Sequence, residues 1–333
     1  MIMRAKDSIR IRIAGAVTAL ALLAGCSAGS TPTLPAGSPA KTTSAAPSVS
    51  ATPLAGCKDN DNQSRVKSYA PASALPTPGS FPAGSMADIL KRGKLIAAVS
   101  ADNLLFGARN PLTNQLEGFD IDMVRTVARA IFGSLDDARI DTKIEYRVVN
   151  FSQRIPALVA RQVDLVADIM TINCTRWSQI AFSAEYYRAA QQLLVAKGSD
   201  LTLSKMNGKR VCSAQGSTGS ENLQTHPSIK AVLVSDISDC MVLFQQGSVD
   251  GVVSDNTVVA GFASQDPYAE VVKEPLTQEP YGLGINTTRV DFVQFVNAVL
   301  ENMRTTGTWT KLYNKWLAAQ LGAGVQPTPV YGR

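Results

Sequence analysis

The stretch DIMTINCTRWSQIAFS, residues 168–183, sets a Thr, an Asn, a Cys and an Arg within six positions directly after the apolar run VDLVADI. A fixed positive charge where a chain leaves a buried strand either caps the surface or receives an anion. A planar guanidinium fork matches a carboxylate or phosphate in two parallel hydrogen bonds. Arg176 is therefore a candidate anion ligand. Two further places carry comparable chemistry. GSTGSEN (216–222) sets Ser217 and Thr218 at the start of a helical segment, as N-cap or as anion ligands. Asp255 ends the strand-like VDGVVSD and precedes TVVAGFA, where it stands as an N-cap.

The remaining reactive side chains exclude more than they suggest. His226, the only histidine, lies in the polar segment QTHPS, so any Ser–His or Cys–His nucleophile would depend on a loop residue. The cysteines at 26, 57, 174, 212 and 240 include no C-x-x-C pair, which argues against a zinc site, and no other metal or cofactor is implied. Once Cys26 is set aside, the four others form an even set. In an exported chain this reads as two disulfides with three connectivities open.

Export is read from the first 26 residues. Arg4, Lys6, Arg10 and Arg12 precede the apolar IAGAVTALALLAG, too short to span a bilayer comfortably, and the run stops at LAGC. This resembles a lipobox and implies acylation at Cys26, hence a lipid anchor on the extracytoplasmic face of the cell membrane. The chain carries a net +5, but four of its 32 basic and one of its 27 acidic residues lie in that segment, leaving 28 against 26, about +2. With no basic run or interleaved aromatic stripe, nucleic acid is not an expected partner. Residues 27–84, rich in Ser, Thr, Pro, Ala and Gly, read as a flexible tether.

The elements that must position the candidates alternate. KLIAAVS (94–100) reads as a buried strand. In GFDIDMVRTVARAIFG (118–133), Ile121, Val124, Val127 and Ile131 share a helical face. KIEYRVV, the short helix QRIPALVA and VDLVADI complete a βαβαβ run. A second unit contains QQLLVAKG, GKRVCSAQ, a helix near 218–225, AVLVSD, a helix at 239–246 and VDGVVSD. Amphipathic helices VDFVQFVNAVLENMR and TWTKLYNKWL close the chain. Two α/β units, each a mostly parallel sheet flanked by helices, place a cleft between them.

The segments GKL (93–95), LEGFDIDMV, FSQRIPALVARQVDLV, MTINCTRWSQIAFSAEYY, GKRVCSAQGSTGS and GSVDGVVSDN resemble, in this order, the family 3 solute-binding proteins. Within that family they look nearest to glutamine- and glutamate/aspartate-binding lipoproteins of Gram-positive bacteria. The resemblance implies a two-lobed, type II periplasmic-binding-protein-like clamp, with lobe 1 over 85–187, lobe 2 over 188–279, a return to lobe 1 over 280–320, and a tail over 321–333. It implies a non-enzymatic receptor that delivers a small L-amino acid to a membrane ABC permease. A sensor passing its open or closed state to a membrane signalling protein is the alternative. A dehydratase-like enzyme on the same fold is disfavoured by the paired charges at Arg176 and Asp255.

By the same resemblance, Arg176 holds the ligand's α-carboxylate with Thr171, the Ile169 carbonyl faces the α-ammonium, and Asp255 pairs with that ammonium from lobe 2. Asn173 and Cys174 depart from the family pattern without touching the Arg. Arg154 matches an Arg that reaches a side-chain carboxylate, or else serves only to hold the lobe together. Phe151 is expected to pack on the ligand's methylenes or in the core. Ser100 stands where relatives carry an Asp or Arg on the ligand. Ala214 stands where glutamine-type members often have Lys, and Leu104, Leu105 and Phe106 replace the usual P-P-F ahead of Arg109. Choice among Glu, Asp, Gln and Asn stays open. Cys212 and Cys240 fall in one lobe and are expected to pair, leaving Cys57 to fasten the tether's end at Cys174.

Overall fold

The computed structural model describes residues 54–72 and 74–333; Cys26, the export signal and the start of the tether lie outside the described residues. Two mixed sheets, each flanked by helices, form the two lobes. The first sheet runs Ile144–Val148, Leu95–Val99, Leu165–Ala167, Gly284–Ile285, Ala181–Phe182. The second runs Lys230–Val234, Arg210–Ala214, Gly251–Asp255, Tyr187–Ala196, Ala269–Val271, with Gln278–Tyr281 also paired to Tyr187–Ala196.

Within the two sheets, parallel pairing is confined to the three-strand βαβ core of each lobe, where helical crossovers return the chain in the same direction. Strands Tyr187–Ala196 and Gly284–Ile285 enter antiparallel, as do their edge partners. The sheets are therefore mixed, not mostly parallel: the helix-linked units foretell their own crossovers, but not the direction of strands that arrive from the other lobe. Those arrivals form the hinge. Tyr187–Ala196 leads out of lobe 1 and Gln278–Tyr281 leads back, paired antiparallel in the register Tyr187 with Tyr281.

The helix Phe119–Phe132 covers the first sheet, with Ile121, Val124, Val127 and Ile131 fully buried as their spacing requires. Residues 100–117 fold as a small three-stranded antiparallel sheet. From it, Phe106 inserts edge-on against Phe119, Tyr187 and Tyr281, at ring separations of 5.3 to 5.8 Å.

The two ends of the folded chain correct the sequence reading. The tether does not run on to residue 84: from Leu54 on the described chain is packed onto the body, and residues 321–333 are not a loose tail. Ser68 pairs with Tyr331 in a parallel bridge, and its amide donates to the Val330 carbonyl at 2.8 Å. Arg333 stacks over Trp177 at 3.8 Å, while Trp177 Nε1 donates to the Arg65 carbonyl at 2.8 Å. Composition misled here because contacts from 112 residues or more away supply the order that local apolar content lacks. Cys57 is bonded to Cys174 and Cys212 to Cys240, the pairs expected from the lobe assignment. The first closes 117 residues and on the chain-entropy model contributes about 4–5 kcal/mol; the second closes 28, for about 3–4 kcal/mol.

Candidate ligand-binding site

Arg176 sits in the four-residue helix Cys174–Trp177. Asn173 caps that helix, its side chain accepting from the Arg176 amide at 2.8 Å. The departure from the family pattern at 173–174 thus has two local uses: Asn173 is the cap, and Cys174 bolts the helix to the N-terminal segment. The Cys174 amide donates to Asp59 Oδ1 and its carbonyl accepts from the Leu54 amide. Held this way, the Arg176 guanidinium is buried. Nη1 donates to the Thr171 carbonyl at 2.8 Å, and Nη2 crosses to the Gly216 carbonyl of lobe 2 at 3.1 Å.

Arg154 reaches the same carbonyl. Its Nη2 donates to Gly216 O at 3.2 Å, Nη1 to Asp168 O at 2.8 Å and Nε to Phe151 O at 3.0 Å, with the guanidinium 4.4 Å from the Phe151 ring centre. Burial draws its pKa down to about 10, against the pull of Asp168. Gly216 permits this meeting of lobes. Its φ is +73°, a conformation that L side chains rarely adopt, and a Cβ there would lie 2.7 Å from Ser152 Cα in lobe 1.

Opposite the arginines, Asp255 ends strand Gly251–Asp255 and is 7 % exposed. Its Oδ2 accepts from the Tyr281 hydroxyl at 2.6 Å, and it makes no side-chain cap to the helix Asn256–Gln265. Asp255 therefore stands at the N-cap position without capping through its side chain. Burial raises its pKa to about 8, with Glu279 adding to the rise and Tyr281, Arg176 and Arg154 opposing it. Glu279, on the returning hinge strand, ties the lobes together: Oε2 accepts from Thr171 at 2.7 Å and from Thr218 at 2.8 Å, and Oε1 from Thr277 and Gln191. Ser217 caps the helix Thr218–Gln224, accepting from the Ser220 amide at 3.0 Å and donating to Ala214 O.

Phe151, Arg154, Ile169, Thr171, Arg176, Ser217, Thr218, Gly219, Ser254 and Asp255 line one small cavity of about 10 Å³. Eight of the nine side chains singled out as ligand-binding candidates are among these residues. The ninth, Ser100, is not: its hydroxyl donates to Asp102 Oδ1 at 2.7 Å, within the small sheet. Ile169 adopts φ +38°, the left-handed region that a β-branched residue enters at a cost of about 1–3 kcal/mol. Its amide donates to Asp120 Oδ2 at 2.8 Å, and Asp120 Oδ1 accepts from Tyr186 at 2.6 Å. The cavity is a cationic wall facing a carboxylate across the two lobes, a geometry suited to a zwitterion.

A profile of the bacterial extracellular solute-binding proteins, family 3, matches residues 95–319. The chain belongs to that family. Among its relatives, the glutamine-binding protein of Geobacillus stearothermophilus is 34 % identical over 71 % of this chain and 87 % of its own. The ABC transporter glutamine-binding protein GlnH of Bacillus subtilis (strain 168) is 30 % identical over 70 % of this chain and 84 % of its own. Among solved structures, an ancestral arginine-binding protein bound to glutamine superposes with a TM-score of 0.62 at 30 % identity, covering 70 % of this chain and 99 % of the other. The type II clamp of this family accounts for the two lobes, the double-stranded hinge and the cavity between them.

Four buried residues of this family member escaped the sequence reading: Asp120, Asp168, Glu279 and Tyr281. A signal existed for three of them. Asp168 is an acid inside the apolar run VDLVADI, and Glu279 and Tyr281 flank a proline in a segment otherwise read as connection. An acid in an apolar run is either paired or functional.

Proposed function

We propose that this chain is an extracytoplasmic receptor for a polar α-amino acid of the glutamine, glutamate, asparagine or aspartate type, and that it hands the ligand to an ABC permease. The observation that carries this reading is the buried Arg176 guanidinium and, on the other lobe, the buried Asp255 carboxyl, lining one cavity; a cation beside Asp255 would draw off the proton that burial keeps on it. The ligand's α-carboxylate would take the Arg176 fork and Thr171, displacing the guanidinium from backbone carbonyls. Its α-ammonium would lie against Asp255 and the Ile169 carbonyl. Both charges are needed to bridge the lobes, so a free amino acid favours the closed clamp. Thr218, beside Glu279, and Ser217 would supply the lobe 2 hydroxyls, and Phe151 a wall for the ligand's methylenes.

The names of the relatives support a glutamine- or glutamate-like ligand. Anchoring through lipidated Cys26 would keep the receptor beside its permease. The function proposed is binding, for which the geometry offers a cradle matched to a zwitterion. Isothermal calorimetry against the four amino acids tests the proposal, with a Kd near the micromolar level, about −8 kcal/mol, expected for at least one. Binding of a sugar in place of all four would overturn it.

A further inference from the structure

The segment from Leu54 to Ser68 precedes the stretch 95–319 that matches the family, yet it grips the candidate site in two places. One grip is on the short helix Cys174–Trp177 that carries Arg176. Cys57 is bonded to Cys174, the Cys174 amide donates to Asp59 Oδ1 at 2.8 Å, and the Cys174 carbonyl accepts from the Leu54 amide at 3.2 Å. At the far end of that helix, Trp177 Nε1 donates to the Arg65 carbonyl. The second grip is on the returning hinge strand. Asn62 Nδ2 donates to Gln278 Oε1 at 2.6 Å, and Arg65 Nη2 to the Gln278 carbonyl at 3.0 Å. The next residue, Glu279, is the one that accepts from Thr171 and Thr218 across the lobes.

A four-residue helix cannot hold its own shape, since isolated helices shorter than about 12 residues are marginal in water. The direction of Arg176 is therefore set by what clamps residues 174 and 177. The covalent clamp is also the reachable one of the two disulfides. Cys212 and Cys240 are fully buried, and Cys174 nearly so. Cys57 is only half-buried, and with Gly56, Ser64, Lys67 and Arg333 it lines a surface cavity of about 230 Å³. The cationic residues Lys67 and Arg333 on that wall draw in an anionic attacker, and the thiolate is the form of a thiol that attacks a disulfide.

We propose that the Cys57–Cys174 bond positions Arg176 for the ligand's carboxylate, and that a dithiol reductant entering at Cys57 opens the bond and so lowers amino-acid affinity. This rests on the receptor reading above and adds a control to it. One thiolate of the dithiol attacks Cys57 Sγ and forms a mixed disulfide, while the bond to Cys174 breaks and leaves Cys174 as the thiolate. The second thiolate then attacks the reductant's own sulfur in that mixed disulfide and frees Cys57. The dithiol ends as a disulfide, having given up two electrons, and its two protons end on Cys57 and Cys174. The helix is then held to this segment only by the hydrogen bonds from Leu54, Asp59 and Arg65. Arg176 can leave the direction in which its fork meets a carboxylate, and a two-bond fork weakens steeply when its plane turns.

The test is calorimetry with glutamine, glutamate, asparagine and aspartate on the oxidised wild type and on the same protein after graded dithiothreitol. The double variants Cys57→Ser/Cys174→Ser and Cys212→Ser/Cys240→Ser, and Arg176→Lys, are measured beside it. Thiol alkylation with mass spectrometry reads which bond has opened, and circular dichroism with thermal unfolding reads whether the chain is folded. Mild reductant is expected to open Cys57–Cys174 first and to weaken every bound amino acid about tenfold or more while the chain stays folded, with reoxidation restoring affinity. Cys57→Ser/Cys174→Ser should match the reduced protein and ignore reductant. Cys212→Ser/Cys240→Ser should unfold at a lower temperature yet bind within about threefold of wild type. In Arg176→Lys, opening the bond should cost less than in the wild type, because a fork that is absent cannot be turned. Opening of Cys212–Cys240 first, or unchanged affinity with Cys57 and Cys174 both alkylated, overturns the inference and keeps the receptor. Affinity lost only in step with the circular dichroism signal, or an equal loss in Arg176→Lys, overturns it by making the bond a fold staple alone. An oxidised wild type that binds none of the four overturns the receptor reading and this inference with it.

Discussion

At the residue scale, the site is a set of charges kept from water, and their protonation follows from burial. Asp255 is raised to about 8, and Asp120 and Asp168 to about 7, in each case with desolvation as the largest cause. Between the ordinary carboxyl pKa near 4 and these values, the folded chain holds protons that the unfolded chain has lost. The unfolded state then binds fewer protons, so stability falls as pH rises from about 4 to about 8. Ligand binding reverses one of these protonations. An ammonium against Asp255 favours the carboxylate, so binding at pH 7 is expected to release a proton from this residue. Calorimetry in buffers of different ionisation enthalpy reads this directly, and Asp255→Asn should remove that component. An enthalpy independent of buffer would place the ammonium elsewhere.

At the scale of elements, short segments fix the arginines, and one glycine allows the lobes to meet. Gly216 carries the carbonyl that both Arg154 and Arg176 reach, on a backbone where a Cβ would strike Ser152. Gly216→Ala should hold the lobes apart and lower ligand affinity about tenfold or more, with a larger radius of gyration by small-angle scattering in saturating ligand. Unchanged affinity would mean that the loop yields without cost. Much at this scale was legible in the sequence. The face of Phe119–Phe132, both disulfide pairs and the strand exit carrying Arg176 follow from period, lobe assignment and family resemblance. The packed ends were not legible, because Ser/Pro-rich composition reports local propensity while Ser68, Tyr331, Arg65 and Trp177 are joined only by tertiary contact. Glu279 and Tyr281 escaped for a related reason: they meet Thr171 and Asp255 only when the returning hinge strand pairs with Tyr187–Ala196. Arg154 could be located but not given a role, since its choice of three backbone carbonyls depends on a loop from the other lobe.

At the scale of the whole molecule, two lobes joined by paired strands form a clamp whose closed state requires the charges facing the cavity to be satisfied. In this structure the arginines meet backbone carbonyls and Asp255 meets a tyrosine hydroxyl, partners a zwitterionic ligand could replace with stronger, charge-assisted bonds. The central claim is that Arg176 receives the α-carboxylate. Its most direct test is calorimetric titration of Arg176→Ala and Arg176→Lys with glutamine and glutamate, beside the wild type. Loss of the fork is expected to weaken both ligands at least about a hundredfold in Arg176→Ala, with Arg176→Lys recovering only part of the loss, because a buried carboxylate without its partner costs about 3–5 kcal/mol. Affinity within about threefold of wild type in Arg176→Ala, for either amino acid, would contradict the account.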